Sequence, residues 1–220
     1  MTECGMAFMR MPGQTWLDAA TSFLGMWIVM MAAMMLPSLI SMLRRYRDAV
    51  GRTAGRRLGL LMSLVSVAYF VVWALVGIAA FPVGAALTAF TMQQPARARA
   101  EPMAAGAIVL LAGALQFSAW KARHLECCRE SPGRGVTLAA DARTAVRHGL
   151  RLGLHCIYSC AGLTTILLVI GVMDLGAMAV VTAAITAERL APAGERIARV
   201  IGTVVVGTGL FLIARAAGLG

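Results

Sequence analysis

Two short groups of histidine and cysteine residues carry the clearest chemical signal in this sequence. The first group, in "HLECC", contains His124 and Cys128, and the second, in "HCIYSC", contains His155, Cys156 and Cys160. In each group two of these residues are four positions apart, and side chains at this spacing share one face of a helix. Thiolate and imidazole ligands suit zinc and copper. The spacing therefore predicts a soft-metal site, with copper favoured over zinc.

Methionines in "MWIVMMAAMMLPS" offer thioether ligands, which favour Cu(I). Met34 lies about nine residues inward from Arg44, and Cys160 lies about nine residues inward from Arg151. Both are therefore about 13 Å from the charged ends of their segments. We predict Met34 as a further ligand, together with Met30, which lies one helical turn away from it. The alternative is that the methionines and cysteines only fill apolar gaps.

The two His/Cys groups are predicted to lie at different depths. They belong to consecutive apolar segments, which we expect to be antiparallel, and His124 and Cys128 lie nearer the membrane surface than Cys156. For both groups to bind one metal ion, the third segment would have to tilt or Lys121 would have to be drawn inward. A single site built from both groups therefore depends on a distortion of this segment.

The composition predicts an integral membrane protein. The chain has 220 residues, of which 60% are hydrophobic and 14% are charged, whereas a soluble domain has about 25% charged residues. The net charge of +10 does not indicate nucleic-acid binding, because the arginines lie between apolar segments and few aromatic residues accompany them. The expected partner is instead the lipid bilayer.

We predict an all-α fold, a polytopic bundle of six transmembrane helices that forms one integral membrane domain over residues 1–220. Sixteen of the 20 basic residues fall in the gaps on one side, and by the positive-inside rule that side is cytoplasmic and both termini are outside. The predicted location is the bacterial cytoplasmic (inner) membrane. The fifth segment is short, and its alternative is a re-entrant segment. The segments cover about 16–43, 58–81, 103–123, 146–172, 175–189 and 197–217.

Three polar residues near or within these segments have simpler interpretations than catalysis. Glu188 is followed by Arg189, and we expect an ion pair at the membrane interface. Asp174 in "GVMDLG" is expected to be a turn residue between the fourth and fifth segments. Motifs of the common soluble enzymes are not found, and no reaction is assigned.

Four motifs occur in order along the chain and carry a family resemblance. The first and third segments supply Trp27, Met30, Ala33, Met34, Met35 and Pro37, then Gln116, Lys121, His124, Leu125, Cys128, Arg129 and Pro132. The fourth segment supplies Gly153, Cys156, Cys160, Gly171 and Met173, and Glu188-Arg189 follows. With these motifs, from Trp27 to about Pro192, the chain resembles the bacterial predicted metal-binding integral membrane proteins. The resemblance implies metal binding but no reaction.

The chain departs from that family pattern at several candidate ligands. His124 stands where the family usually has cysteine, and His155 replaces a usual tyrosine. Ser159 and Ala161 stand where a further cysteine and a tryptophan are expected. One thiolate is lost and one imidazole gained, which implies a shifted ligand set or a partly lost site.

The leading hypothesis is a membrane protein that binds copper through Cys/His pairs on consecutive helices, in copper handling or as a metalloenzyme subunit. The alternative is a structural or assembly subunit of a larger membrane complex, without a metal site of its own. The small residues on the helix faces and the lost family residues favour that alternative. A transporter is less favoured, because no pair of interrupted helices occurs in matching halves of the chain.

Overall fold

The computed structural model describes residues 13–92, 101–130, 137–170, 174–191 and 193–217, and their regular structure is entirely helical. This confirms the predicted all-α class. A 3₁₀ segment, Gly51–Arg57, joins the first two helices. The α-helices in chain order are α1 (Trp16–Val50), α2 (Leu58–Met92), α3 (Glu101–Leu115), α4 (Ala119–Glu130), α5 (Ala142–Ile170), α6 (Leu175–Leu190) and α7 (Gly194–Ala216).

Polar side chains fix the starts of several helices by accepting hydrogen bonds from free backbone N–H groups. Thr15 and Asp18 form a reciprocal capping box at the start of α1. Asp141 accepts a hydrogen bond from the Thr144 backbone N–H at 3.0 Å, and its hydrogen bonds with Thr144 lower the pKa of this carboxyl group. Asp174, expected in a turn, accepts from the Ala177 N–H at 2.9 Å and caps α6.

The predicted third segment is not one straight helix, and this corrects the sequence-based expectation. It breaks into α3 and α4, which meet at an angle of 63°. Ser118 explains the break, because its hydroxyl oxygen accepts from the Lys121 N–H at 3.2 Å and so starts a new helix. The same hydroxyl donates to the Leu115 carbonyl at 2.7 Å. The distortion that a shared site requires is therefore present as a bend.

Helix α5 lies at the centre of the bundle and packs closely on its neighbours through glycine. A Cβ atom on Gly149 would collide with the Val65 carbonyl oxygen of α2. On Gly153 it would lie 2.9 Å from the Val72 Cβ and 3.1 Å from the Tyr69 carbonyl oxygen. Small residues let helix backbones approach in this way. The approach brings the α2 side chains onto the cysteines of α5.

Among the residues that the structure describes, four helices have the length and hydropathy needed to cross a bilayer, and the bent α3–α4 pair makes up to five. Helix α6 has 16 residues, whereas a span needs about 20. Six spans therefore stay a prediction. The predicted positions of both termini lie outside the described residues, as do Pro132, Gly171, Met173 and Pro192 of the family motifs.

Candidate metal centre

Two cysteine sulfurs of α5 converge on one nitrogen atom of Arg189, which comes from α6. The guanidinium Nη2 lies 3.0 Å from Cys156 Sγ, 2.9 Å from Cys160 Sγ and 2.9 Å from Ser159 Oγ. All four side chains are buried. A positively charged group is thus held between two soft ligand atoms in the interior of the bundle.

Two further side chains complete the surroundings of Cys156. The Tyr69 hydroxyl of α2 lies 2.8 Å from Cys156 Sγ, and the Met35 Sδ of α1 lies 3.8 Å from the same atom. We call the site formed by Cys156, Cys160 and Met35 the sulfur pocket. It collects thiol and thioether groups from two helices, which is the ligand chemistry that favours Cu(I).

The predicted methionine ligands lie close to this pocket but do not form it. Met30 and Met34 are buried in the core, and in the part of the chain that the structure describes neither has a sulfur contact with a cysteine. Met35 makes that contact instead. Adjacent residues of a helix point about 100° apart, so a match in depth alone does not determine which methionine contacts Cys156.

The expected interfacial ion pair between Glu188 and Arg189 is wrong. Glu188 instead pairs with Lys121 of α4. The Lys121 Nζ atom lies 2.8 and 3.0 Å from the two carboxylate oxygens of Glu188, and both side chains are buried. Lys121 is therefore drawn inward, as a shared site required. Because Glu188 is paired with Lys121, its neighbour Arg189 is available to face the cysteines.

His124 and His155 meet where α4 crosses α5, and we call them the histidine pair. Their Nδ1 atoms are 2.9 Å apart, and both side chains are half-buried. The Trp120 ring lies edge-on to the His124 ring at a centroid distance of 4.9 Å. Tyr158 lies beside His124, also at 4.9 Å. Both predicted imidazole ligands are thus brought together, at an edge that solvent or lipid reaches.

Cys128 lies one turn beyond His124 and faces Ser159, with 3.8 Å between its sulfur and the serine hydroxyl. Both this contact and the histidine contact join residues 31 apart in the sequence. In a regular antiparallel pair of helices, the number of residues between contacting positions changes from one turn to the next. These two contacts therefore do not follow a regular antiparallel register, and the 63° bend after Leu115 redirects α4 at this point.

The predicted single ligand set is divided between two places, the sulfur pocket and the histidine pair. Within the described ranges, no group of three or more His, Cys, Asp and Glu residues is arranged to hold a metal ion. The pocket reaches three donors only if the thioether of Met35 is counted. The sulfur donors of the pocket are of the type that Cu(I) prefers, and they are poorly suited to a hard, oxygen-binding cation.

The dimensions of the pocket fit a thiolate-bound metal after a modest contraction. Metal–thiolate bonds are about 2.3 Å long for zinc, so each sulfur would move roughly 0.6 Å closer to the position of Arg189 Nη2. The other terminal nitrogen of this guanidinium, Nη1, is buried without a hydrogen-bond partner among the described residues. The pocket therefore leaves the arginine incompletely satisfied.

Several residues of this centre were not predicted from the sequence, and they differ in whether a sequence pattern could have identified them. Arg189 and Tyr69 have no local motif, because their partners are 29 or more residues away in the sequence. Met35 stands in the predicted methionine group. Ser118 was recognisable, since a serine that interrupts an apolar run and precedes "AWK" is typical of a helix start.

Comparison with known protein families identifies a family that matches most of this chain. A family described as "PpoB2: Copper chaperone" matches residues 24–212, which include every candidate ligand named above. No curated protein and no solved structure matches the chain. The match agrees with the resemblance to a metal-binding family.

Proposed function

This chain belongs to the PpoB2 copper chaperone family, and from that premise we propose that it binds Cu(I) as cargo in the sulfur pocket. Copper in this role is carried and released, so the pocket acts on it as on a substrate. Cys156 and Cys160 are the proposed thiolate ligands, and Met35 is the thioether ligand. Zinc is the second choice, because a thioether is a poor ligand for it.

One observation carries this proposal. The sulfurs of Cys156 and Cys160 both lie within 3.0 Å of one cationic nitrogen, Arg189 Nη2. Cysteines that only fill space in a membrane helix have no reason to point at a common charged atom. The arrangement is that of a cation pocket in which a guanidinium occupies the place of the metal.

Copper binding requires the Arg189 nitrogen to leave the space between the sulfurs. Each thiol that binds loses its proton, and a Cu(I) ion with two thiolates carries one net negative charge. In a buried site such a charge is costly unless it is paired. We propose that Arg189 shifts by a short distance and remains as the counter-charge of the copper–thiolate group.

The same proposal includes insertion in the bacterial cytoplasmic membrane as a multi-pass protein. It is supported by apolar side chains that face outward along the helices. In α2, Val67, Val71, Leu75 and Ile78 form a stripe that is between 45% and 60% exposed. Exposed apolar surfaces of this extent mark contact with lipid or with other membrane proteins.

Anaerobic titration of the purified full-length protein with Cu(I), against a competing chelator, tests the proposed pocket. We expect one tightly bound Cu(I) per chain, with sulfur ligands in X-ray absorption spectra. The Cys156→Ser/Cys160→Ser variant is expected to lose this tight binding. Cys127→Ser is the matched control, because Cys127 is exposed and lies outside the pocket.

A second outcome would favour the structural-subunit alternative. If the Cys156→Ser/Cys160→Ser variant and the wild type compete equally well with the chelator, the pocket does not bind copper. The cluster of Arg189, Ser159 and the two cysteines would then be a packing device that joins α5 to α6. Size-exclusion profiles of all variants establish that the comparison is between folded proteins.

A further inference from the structure

We infer that the histidine pair is a second, weaker Cu(I) site, through which the ion reaches the sulfur pocket. This inference rests on the proposed function. It starts from the burial of the pocket: Cys156 is 0% exposed and Cys160 is 2% exposed. An ion cannot reach these sulfurs directly from solution or from a partner protein. A chaperone must nevertheless receive and release its cargo, so a more accessible ligand group is needed.

The geometry of the histidine pair suits a metal ion after a small opening. Metal–imidazole bonds are about 2.0–2.1 Å long for zinc, so two nitrogens at a tetrahedral angle around an ion of similar size are about 3.3 Å apart. The observed separation of the Nδ1 atoms is 2.9 Å. A displacement of roughly 0.4 Å, shared between two half-buried rings, would admit the ion.

Ligand chemistry makes the histidine pair the weaker of the two sites. Imidazole binds copper, but thiolate and thioether groups are softer and select Cu(I) more strongly. The pair also supplies two donors, whereas the sulfur pocket supplies three. Copper bound first by the histidines would therefore move on to the sulfur pocket, and the reverse movement would need an external ligand of comparable softness.

Cys128 and Ser159 lie on the route between the two sites. One helical turn beyond the histidines, Cys128 Sγ lies 3.8 Å from Ser159 Oγ. Ser159 Oγ lies 3.8 Å from Cys160 Sγ, which belongs to the pocket. Residues four apart on a helix have Cβ atoms about 5–6 Å apart, so Cys128 is one short step from His124. Cys128 is the intermediate ligand in this path.

The transfer is a ligand exchange in which copper remains Cu(I) and no electron moves. A copper–nitrogen bond to His124 breaks as a copper–sulfur bond to Cys128 forms. The Cys128 thiol loses its proton in this step, and the nitrogen that releases copper has a free lone pair to accept it. In the second exchange the copper bonds to Cys128 and His155 break as bonds to Cys160 and Cys156 form. The protons of these two thiols pass to the Cys128 thiolate and to the freed His155 nitrogen.

Loading kinetics of the full-length protein test the second site. Cu(I), supplied as its acetonitrile complex, is mixed with wild type, with the His124→Gln/His155→Gln variant and with His148→Gln. His148 is the matched control, because it stacks on Tyr46 and lies outside both sites. We expect the double variant to load the sulfur pocket roughly tenfold more slowly, a barrier increase of about 1.4 kcal/mol. The control should load at the wild-type rate.

A spectroscopic experiment gives an independent readout. In the Cys156→Ser/Cys160→Ser variant, one equivalent of Cu(I) should be weakly held, with nitrogen scattering in the X-ray absorption spectrum that His124→Gln/His155→Gln removes. Wild-type loading rates in the histidine variant, or the absence of nitrogen scattering, would overturn the inference and leave the pocket intact. Equal tight binding by wild type and the cysteine variant would instead overturn the proposed function.

Discussion

The guanidinium nitrogen Nη2 of Arg189 lies 2.9 Å from the sulfur of Cys160, so a permanently charged side chain already lies among the proposed copper ligands. Arginine keeps its charge at any physiological pH. Its position raises one question with two physical answers. The guanidinium either competes with copper for the sulfurs or supplies the charge that a buried copper–thiolate group needs.

Replacement of Arg189 by leucine, which removes the charge and adds no sulfur ligand, is expected to weaken Cu(I) binding by more than tenfold. Loss of one partner of a buried charge pair costs about 3–5 kcal/mol, whereas a displaced charge-assisted hydrogen bond returns about 1.5–3 kcal/mol. The loss of counter-charge therefore outweighs the removal of a competitor. Chelator competition measures the change, with Arg189→Lys as the charge-preserving control. Tighter binding by Arg189→Leu would identify the guanidinium as a competitor.

Lys121→Met is expected to destabilise the protein by about 3–5 kcal/mol, because it leaves Glu188 buried without its partner. The pair is closely fitted, with Lys121 Nζ 2.8 Å from a carboxylate oxygen. Thermal unfolding in detergent, monitored as the loss of the monodisperse size-exclusion peak, measures this change in stability. The Lys121→Met/Glu188→Gln double variant should recover most of the loss. If the single and double variants melt together, the ion pair does not hold α4 against α6.

Gly153→Ala is expected to lower both stability and copper affinity, since the added Cβ would lie 2.9 Å from the Val72 Cβ. Overpacking of this kind costs about 1–3 kcal/mol and would move Tyr69 away from Cys156. Gly207→Ala is the matched control, because a Cβ there meets no atom within 4 Å. The control should be neutral or slightly stabilising. Equal melting temperatures for the two variants would contradict close packing of α2 and α5.

A membrane-impermeant maleimide is expected to modify Cys127 in inverted membrane vesicles but not in right-side-out vesicles. Cys127 is exposed, and the positive-inside rule assigns its segment to the cytoplasmic side. Cys4, in the part of the chain that the structure does not describe, should react only in right-side-out vesicles. Cys127→Ser and Cys4→Ser identify the labelled sites by mass. Reaction of both cysteines from the same side would refute the predicted orientation.

Much of the fold follows from composition and local pattern. Long apolar runs predict helices, and the cap residues Asp141 and Asp174 fix where two of them start. The break at Ser118 was missed, since the hydropathy of the run from 103 to 123 is nearly continuous and a hydropathy average does not register one capping hydroxyl. That single cap changes the direction of α4 and determines which partners it meets.

For the candidate ligands too, spacing predicted the residues but not their contacts. Spacing identified His124, Cys128, Cys156 and Cys160, because residues four apart share a helix face whatever the tertiary structure. It could not show that the histidines meet each other while the cysteines of α5 meet Arg189. Those pairings depend on how helices cross, and the crossing is set by glycine contacts such as Gly153 with Val72.

The sequence by itself determined the helical class, the apolar segments and the chemical types of the ligands, since these depend on residue identity and short-range spacing. Only the tertiary structure divided the candidate ligands between the sulfur pocket and the histidine pair. It also decided that Met35 rather than Met34 contacts Cys156 and that Lys121, not Arg189, pairs with Glu188. The physical reason is that these contacts depend on the rotation and crossing of packed helices, which arise from many distant residues together.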